Sequence, residues 1–315
     1  MVDVEGVGRR ALSFEAMTGP IAVGDDVVVN VAAVELGLGS GGFDIVHANL
    51  TRGLSGEGEP GAHVMKLNYT SLQHAVHPVE EQAPEGLSVD RKPVAVIALH
   101  GQLPCVAWAA RQALPGARIG YVQTAGGALP GQMSRVVREM LASGLLAGHV
   151  TAAPAFGGEH EAISTVGGLH AGLTALEWDG AIVGPGPGIL GSATAFGHGG
   201  LVALDNAHAA LALEATTIVV PRMSSGDPRE RHRGLSHHTR TVLELMLRPA
   251  LVALAAGVDE QLPGEHERRV GEADLEGYVA SGLPARTMGR GPGEDELFFR
   301  ASLAGGSVLA EVIAG

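Results

Sequence analysis

Residues 93–99 read PVAVIAL, an uninterrupted apolar run at the point where the pattern of the chain changes. From here on, short apolar runs alternate with longer amphipathic segments, which is typical of repeated βα units in a parallel sheet. The pattern predicts further strands at 117–122, 149–153, 180–184 and 216–220. It predicts helices at about 104–114, 131–144, 159–177, 200–214 and 237–256. Right-handed crossovers between these strands would give a doubly wound, mostly parallel, Rossmann-like sheet.

The segment after residue 258 continues this domain. HERRV at 266–270 predicts a strand and ADLEGYVASG at 273–282 a helix. ARTMGRGPGEDE at 285–296 is interpreted as another strand with a polar loop, before a final helix. We therefore assign residues 89–315 to one α/β domain, with a ligand crevice at the carboxyl edge of its sheet.

Residues 1–88 have a different pattern. A turn signal, GDD at 24–26, precedes VVVNV at 27–31, and the runs at 43–50 and 63–70 alternate partly between apolar and polar residues. Such short alternating runs predict a small β-barrel or β-sandwich module. Residues 51–61, TRGLSGEGEPG, are predicted as a loop inside it, and residues 80–92 as the linker to the α/β domain.

Polar and glycine-rich segments follow the predicted strands. The carboxyl ends of parallel strands share one edge of a sheet, so these segments should meet around one crevice. They are HGQ at 100–102, QTAGG at 123–127, FGGE at 156–159, GPGPGILGSATAFGHGG at 184–200, the stretch at 222–240 and MGRG at 288–291.

The stretch at 222–240, RMSSGDPRERHRGLSHHTR, holds five arginines and three histidines in a chain with a formal net charge of -13. A local positive surplus of this kind attracts small anions. The predicted ligand side chains are Arg222, Asp227, Arg229, Arg231, His232, Arg233 and Ser236. The predicted backbone donors are Thr124, Gly126, Gly127, Gly186, Gly188 and Gly191.

The same stretch contains candidates for proton transfer. Ser236 is predicted to cap a helix that begins at His237, so that an anion would also meet the helix N-terminus. A histidine in the first turn tends to stay neutral, and His237 or His238 would then act as a general base. Glu159 is a second acid–base candidate, and His100 is a further catalytic candidate after the first strand. Alternatively, the arginines lie in a solvated loop and pair with acidic groups of a neighbouring subunit.

Residues 186–191 match G-x-G-x-x-G, so a dinucleotide site has to be considered. Pro187 removes one backbone N–H, and no carboxylate follows about 20 residues later at a strand end, which weakens that interpretation. A cradle for a smaller phosphate or carboxylate and a purely structural glycine loop both stay open. No cofactor is identified.

Two other chemistries remain as alternatives. His232, His237, His238, Asp227 and His100 offer ligand types that suit zinc, manganese or iron. However, adjacent histidines on a helix point about 100° apart, so both can seldom bind one ion. Cys105 follows Pro104 near His100 and is either a nucleophile or a small buried hydrophobe.

Composition narrows the class of protein. A pI near 5.5 with the acidic balance argues against general nucleic-acid binding, which needs a basic face. The start of the chain lacks the apolar region of a signal peptide, and no stretch approaches the roughly 18 apolar residues of a membrane span. A single cysteine excludes an intrachain disulfide. We expect a cytoplasmic protein with no membrane or nucleic-acid partner.

Several long segments resemble an uncharacterised bacterial family that is known only as a domain of unknown function. They lie at 24–46, 121–140, 153–164, 186–200, 220–239 and 287–299, and so extend over nearly the whole chain. The resemblance implies no activity, substrate or cofactor. The candidate residues above therefore depend on the crevice argument alone.

Three hypotheses follow from the sequence. The first is an enzyme, a hydrolase or transferase, that acts on a small phosphorylated or carboxylated metabolite. The second is a non-catalytic, homo-oligomeric sensing or assembly module in which the arginine-rich loop contacts another subunit. The third is a metal-dependent hydrolase. The predicted partners are a small anion and further copies of the chain.

Overall fold

A computed structural model describes residues 1–39, 41–53, 59–192 and 194–315 and divides the chain into two compact units, Met1–His77 and Pro78–Gly315. The described part of the first unit has seven short strands and two short helices. These are β1 (Val2–Val4), β2 (Val7–Arg9), β3 (Ala11–Leu12), α1 (Glu15–Thr18), β4 (Val27–Asn30), α2 (Ala32–Glu35), β5 (Asp44–Asn49), β6 (Val64–Lys66) and β7 (His74–Val76).

The first unit contains three small sheets rather than one continuous sheet. β1 pairs with β2, β6 pairs with β7, and β5 lies between β3 and β4. A small β module is thus present where one was predicted, while its closure into a barrel or sandwich stays a prediction. Of the loop predicted at 51–61, residues 54–58 lie outside the described residues.

The second unit is the α/β domain. Its first half contains β8 (Pro93–Ile97), α3 (Leu103–Ala113), β9 (Ile119–Thr124), α4 (Arg135–Ala142), β10 (His149–Ala152), β11 (His160–Ala162), α5 (Thr165–Leu173) and β12 (Gly180–Pro185). Its second half contains α6 (Val202–Ala212), β13 (Thr216–Val220), β14 (Met223–Ser224), β15 (Gly234–Leu235), α7 (His237–Leu245), β16 (Leu251–Ala255), β17 (Glu267–Gly271), α8 (Leu275–Ala280) and α9 (Glu296–Ala314).

Eight strands form one parallel sheet in the order β11-β10-β9-β12-β8-β13-β16-β17. Alternate residues of β8 enter different cores: Val94 and Val96 pack with residues of α5 and α6, whereas Ala95 and Ile97 pack with α3 and α9. Because side chains alternate across a strand, this pattern shows that helices cover both faces. The predicted α/β architecture with a parallel sheet is confirmed.

Three predicted elements are corrected. The helix predicted at 237–256 ends at Leu245, because Pro249 has no N–H for a helix and the run at 251–255 forms the buried strand β16. The helix predicted at 159–177 is preceded by β11 and begins only after Ser164, whose side chain accepts a hydrogen bond from Gly167 N. Residues 285–295, all of them described, form no strand; Thr287 bridges to Arg290 across one turn, a second turn follows, and α9 begins at Glu296.

The expectation about membrane spans also needs correction. Among the described residues, α9 is long and apolar enough to cross a membrane by length and composition alone. However, 61% of its apolar window is buried inside the structure, where Val308 and Leu309 pack in the core with α3. The core helices of soluble proteins can have the same length and composition, and α9 is mostly buried as they are.

Candidate functional site

The arginine-rich stretch begins where β13 ends and returns directly to α7. The two-residue strands β14 and β15 pair in antiparallel orientation, with Met223 opposite Leu235. Beyond it, Ser236 N donates to Arg222 O over 3.0 Å, and Arg222 N donates to Thr239 Oγ1 over 2.9 Å. Ser236 is the N-cap of α7, as predicted, and its side chain accepts from His238 N. This closure holds Arg222 beside the first turn of α7.

A buried carboxylate organises the arginines. The side chain of Asp227 is fully buried and accepts from Arg229 Nε and Nη2 at 2.9 and 2.8 Å. Arg222 and Arg290 also point a nitrogen at Asp227, at 3.5 and 3.3 Å. Burial opposes ionisation of Asp227, but the hydrogen bonds and charge of Arg229 outweigh it and keep the pKa well below its usual value. Asp227, predicted as a ligand residue, thus pairs with protein cations here.

The arginines still outnumber their acidic partners. Arg290 also pairs with buried Asp295, so three guanidinium groups, from Arg222, Arg229 and Arg290, face two carboxylates. Arg222 Nε is buried with no hydrogen-bond partner within the described residues. Arg231 is exposed and forms no ion pair in the part of the chain that the structure describes. Positive charge therefore remains available to an external anion.

A cleft of about 250 Å³ opens beside these groups. Four predicted ligand side chains line it together with Gly191, namely Arg222, Arg229, Arg231 and His232. Five residues that were not among the predicted ligands complete the lining: Ile189, Leu190, Ser192, His238 and Met288. Of these, only His238 had been singled out, as a proton-transfer candidate. Arg233 is not in the lining, and its Nε donates to Asp227 O over 3.1 Å.

Four histidine rings cluster together beside the cleft, and two of them, His232 and His238, line it. His198 and His238 stack with centroids 3.6 Å apart and planes 8° apart. His237 lies 4.4 Å from His238 and 4.8 Å from His232 between ring centroids. His198 was missed by the sequence analysis, although it falls in the loop after β12 that was predicted to reach the crevice. It arrives there because the chain turns back and pairs Gly191 with His198.

Burial and neighbouring groups keep His238 and His232 neutral. Arg222 Nη1 donates to His238 Nδ1 over 3.0 Å, so the ring proton of neutral His238 is assigned to Nε2. Burial, followed by the charge of Arg222, lowers the pKa of His238 to about 2. His232 Nδ1 lies 2.8 Å from Ser236 Oγ, and burial with the charges of Arg222 and Arg229 lowers its pKa to about 3.

The other two histidines are less constrained. Burial lowers the pKa of His237, as do the nearby His198 and Arg231. Burial also lowers the pKa of His198, and a weak contact with the backbone of Ala195 opposes this only in part. Neither ring nitrogen of His198, nor His237 Nε2, makes a well-formed hydrogen bond with any residue that the structure describes. These buried nitrogens are thus left without a well-formed partner among the described residues.

The cluster has the residue types for a metal site. Three ring nitrogens lie within 4.8 Å of one another, one each from His198, His237 and His238. Two features oppose a shared ion. The parallel rings of His198 and His238 aim their lone pairs side by side rather than at one point, and Arg222 already occupies Nδ1 of His238. As arranged, the three histidines do not fit one metal ion.

His100 is placed behind the cleft rather than in its lining. Its Nε2 lies 2.7 Å from Ser134 Oγ, and its Nδ1 lies 3.2 Å from Pro185 O, at the base of the loop that leads to the cleft. Burial lowers the pKa of His100 to about 4. The ring is thus neutral and bonded on both sides, which is the environment of a structural histidine.

Glu159 is far from where the sequence analysis expected it. Its Oε2 accepts a hydrogen bond from His149 N, the first residue of β10. That places Glu159 at the amino ends of β10 and β11, at the opposite edge of the sheet from the strand ends that lead to the cleft. The expectation that it joins the crevice is wrong, because the chain runs back across β10 before β11 begins.

The glycine-rich loops pack against one another. A Cβ on Gly127 would lie 2.2 Å from Gly186 O, and one on Gly126 would lie 2.6 Å from Gly199 O. The hydroxyl of Thr124 accepts from Asn206 Nδ2. These contacts support the structural interpretation of the glycines over a phosphate cradle. Gly188, with φ +79°, has open space around it.

The dinucleotide interpretation loses its structural basis. After Gly191 the chain forms a hairpin, and α6 begins only at Val202, so no helix N-terminus follows the motif directly. Cys105 is fully buried in α3, and burial raises the pKa of its thiol to about 12. Such a cysteine is packed as a hydrophobe, not activated as a nucleophile.

Comparisons with known proteins give a family but no activity. No curated protein and no solved structure matches the chain. One family model, described as protein of unknown function (DUF3866), matches residues 10–306. That range includes the strands of the parallel sheet, the cleft and the histidine cluster, and it agrees with the resemblance found in the sequence. The chain belongs to the DUF3866 family of proteins of unknown function.

Proposed function

We propose that this protein is an enzyme that binds a small phosphorylated or carboxylated metabolite in the cleft beside Arg222, Arg229 and Arg231. The observation that supports the proposal is the set of unused donors there: exposed Arg231 and buried Arg222 Nε have no ion-pair or hydrogen-bond partner, respectively, within the described residues. Guanidinium groups bind oxyanions through charge-assisted hydrogen bonds. Neutral histidines next to them supply proton-transfer groups.

The histidines would divide the proton chemistry. His238 is held by Arg222 with its proton on Nε2, so it suits hydrogen-bond donation to the anion. His237 lies outside the cleft lining but contacts His238, with ring centroids 4.4 Å apart, and its lowered pKa keeps it neutral, so we assign it proton acceptance from a nucleophile such as water or a hydroxyl group. The resulting reaction would be hydrolysis or group transfer at the anionic substrate. Under this proposal, His237 and His238 would have different tasks.

Calorimetric titration tests the proposal, with phosphate, sugar phosphates, nucleotides and di- and tricarboxylates as ligands. We expect the wild type to bind one of these anions selectively. Arg231→Ala should weaken the affinity for that anion about tenfold or more, because a hydrogen bond to a charged group is lost. Arg135→Ala is the matched control, because Arg135 is an exposed arginine on α4 outside the cleft. Equal binding by wild type and Arg231→Ala would contradict the proposal.

The assembly alternative depends mainly on Arg231 and Arg233. Arg222, Arg229 and Arg290 already pair with Asp227 or Asp295 of the same chain. An acidic surface on another subunit would therefore chiefly meet Arg231 and Arg233, which are exposed and form no ion pair within the described residues. A metal-dependent hydrolase would require His238 to leave both Arg222 and the ring of His198. We also propose a cytoplasmic location, which buried Cys105 and the mostly buried α9 support.

A further inference from the structure

The cleft has an apolar side as well as a charged one. Ile189, Leu190 and Met288 belong to its lining. Ile189 packs against a core that includes Leu99 and Phe298, whereas the next side chain, Leu190, is 77% exposed. Phe196, on the returning part of the same hairpin, is 70% exposed. Leu190, a large apolar side chain, is thus presented to solvent in a cleft that guanidinium groups also line.

The backbone holds Leu190 in this position. Gly199 N donates to Leu190 O over 2.6 Å, Ser192 N donates to Gly197 O over 2.6 Å, and Gly191 bridges to His198. A backbone shift that moved Leu190 inward would therefore break the hairpin that also brings His198 to the histidine cluster. Exposure of this side chain is a built feature of the cleft.

Met288 joins the apolar side to the charged side. Its backbone adopts φ +45°, a conformation that costs energy for a residue with a side chain. Its sulfur lies 3.5 Å from Arg222 Nη2 and 3.7 Å from Arg229 Nη2. The thioether is a weak acceptor, so an oxyanion would compete well for both guanidinium groups while the methionine keeps an apolar surface beside them.

From this arrangement we infer that the ligand is an amphipathic oxyanion, in which a phosphate or carboxylate is attached to an apolar group such as an aryl ring or short acyl chain. The inference rests on the proposed function, since the anionic part would bind at Arg222, Arg229 and Arg231. The apolar group would cover Leu190 and Met288 and gain from removing their surface from water. A small, purely polar anion would leave that surface exposed.

Two matched pairs of probes test the inference: methyl phosphate with phenyl phosphate, and acetate with phenylacetate. We expect the aryl member of at least one pair to bind the wild type about tenfold more tightly than its partner. Leu190→Ser should reduce that ratio to nearly one while the affinity for the small anion stays the same. Leu247→Ser is the control, because Leu247 is 84% exposed and outside the cleft.

The outcomes separate this inference from the proposed function. If the small anions bind and Arg231→Ala weakens their binding, but the aryl and small members of each pair bind equally, the anion site is supported and the inferred apolar group of the ligand is wrong. An aryl preference that Leu190→Ser leaves unchanged also overturns the inference. If no member of either pair binds, both the inference and the proposed anion site are rejected.

Discussion

Arg222 and His238 are joined by a hydrogen bond of 3.0 Å from Nη1 to Nδ1, although they belong to different elements on either side of the arginine-rich loop. The same guanidinium faces buried Asp227 through Nη2. Arg222 therefore connects the carboxylate that organises the loop with the histidine cluster at the start of α7. Burial, with the charge of Arg229, lowers its pKa to about 10, so the group stays charged at neutral pH.

Removing this connection should destabilise the protein. Arg222→Met keeps an unbranched apolar chain but leaves Asp227 with fewer partners and frees His238 Nδ1. Loss of one partner of a buried ion pair usually costs about 3–5 kcal/mol, and we expect a decrease near the lower end because Arg229 and Arg290 remain. Urea unfolding measures the change. Arg231→Met, at an exposed and unpaired site, should leave the free energy of unfolding nearly unchanged, and an equal loss in both variants would contradict the role of Arg222.

Stability should fall in mild acid because several buried histidines, among them His100 and His149, stay neutral in the folded state. The pKa values of His100 and His149 are lowered by burial to about 4 and about 3. The unfolded chain therefore binds more protons below a pH of about 6.5, and stability present above that pH is lost as the pH falls toward the folded values. Each group contributes about 1.4 kcal/mol per pH unit in that window.

Urea unfolding between about pH 7 and pH 5 checks this dependence. His149→Gln removes one of these groups, and although it also changes absolute stability, it should reduce the slope of stability against pH by one proton. An unchanged slope would mean that His149 is not a source of the acid sensitivity.

Anion binding should be coupled to proton uptake. His198 has a lowered pKa, and neither of its ring nitrogens makes a well-formed hydrogen bond in the described structure. A bound oxyanion favours its charged form, so affinity should increase as the pH falls from about 8 toward 6, by at most about tenfold per pH unit. Calorimetry in two buffers of different ionisation enthalpy measures the protons taken up. His198→Asn should lower that number, and pH-independent binding would exclude the coupling.

The histidine cluster should not depend on a metal. Because the rings of His198 and His238 are parallel and Arg222 occupies His238 Nδ1, we expect a chelator and added zinc, manganese or iron to leave the melting temperature unchanged. Thermal melting of the untagged protein is sufficient. A metal-dependent increase that His237→Ala abolishes would restore the metallohydrolase alternative, since ligand binding to the native state raises stability.

The assembly alternative makes its own prediction at Arg231. If this side chain served a contact between subunits, Arg231→Asp would shift the mass measured by light scattering toward the monomer. Because Arg231 lines the cleft, we expect the mass to stay the same while anion binding is lost. A shift to smaller mass with retained anion binding would support the assembly module instead.

Much of the architecture could be predicted because it depends on local patterns. The apolar runs at 93–97, 180–185 and 216–220 form central strands of the parallel sheet, as their lengths and flanking turns indicated. Ser236 could be identified as an N-cap from its place before α7. The strand Leu251–Ala255 was mistaken for helix, because periodicity alone does not separate a short buried strand from a buried helical segment.

The sequence by itself determined the class of fold, the arginine-rich stretch and the family, since each depends on residues that are neighbours along the chain. Only the tertiary structure decided which of those residues meet. His198 stacks on His238 because a hairpin turns the chain back towards α7. Glu159 lies at the opposite edge of the sheet because the chain crosses back before β11. Asp227 forms ion pairs with three arginines of the same chain. Contacts of this kind depend on how distant segments pack, and the order of residues along the chain does not reveal them.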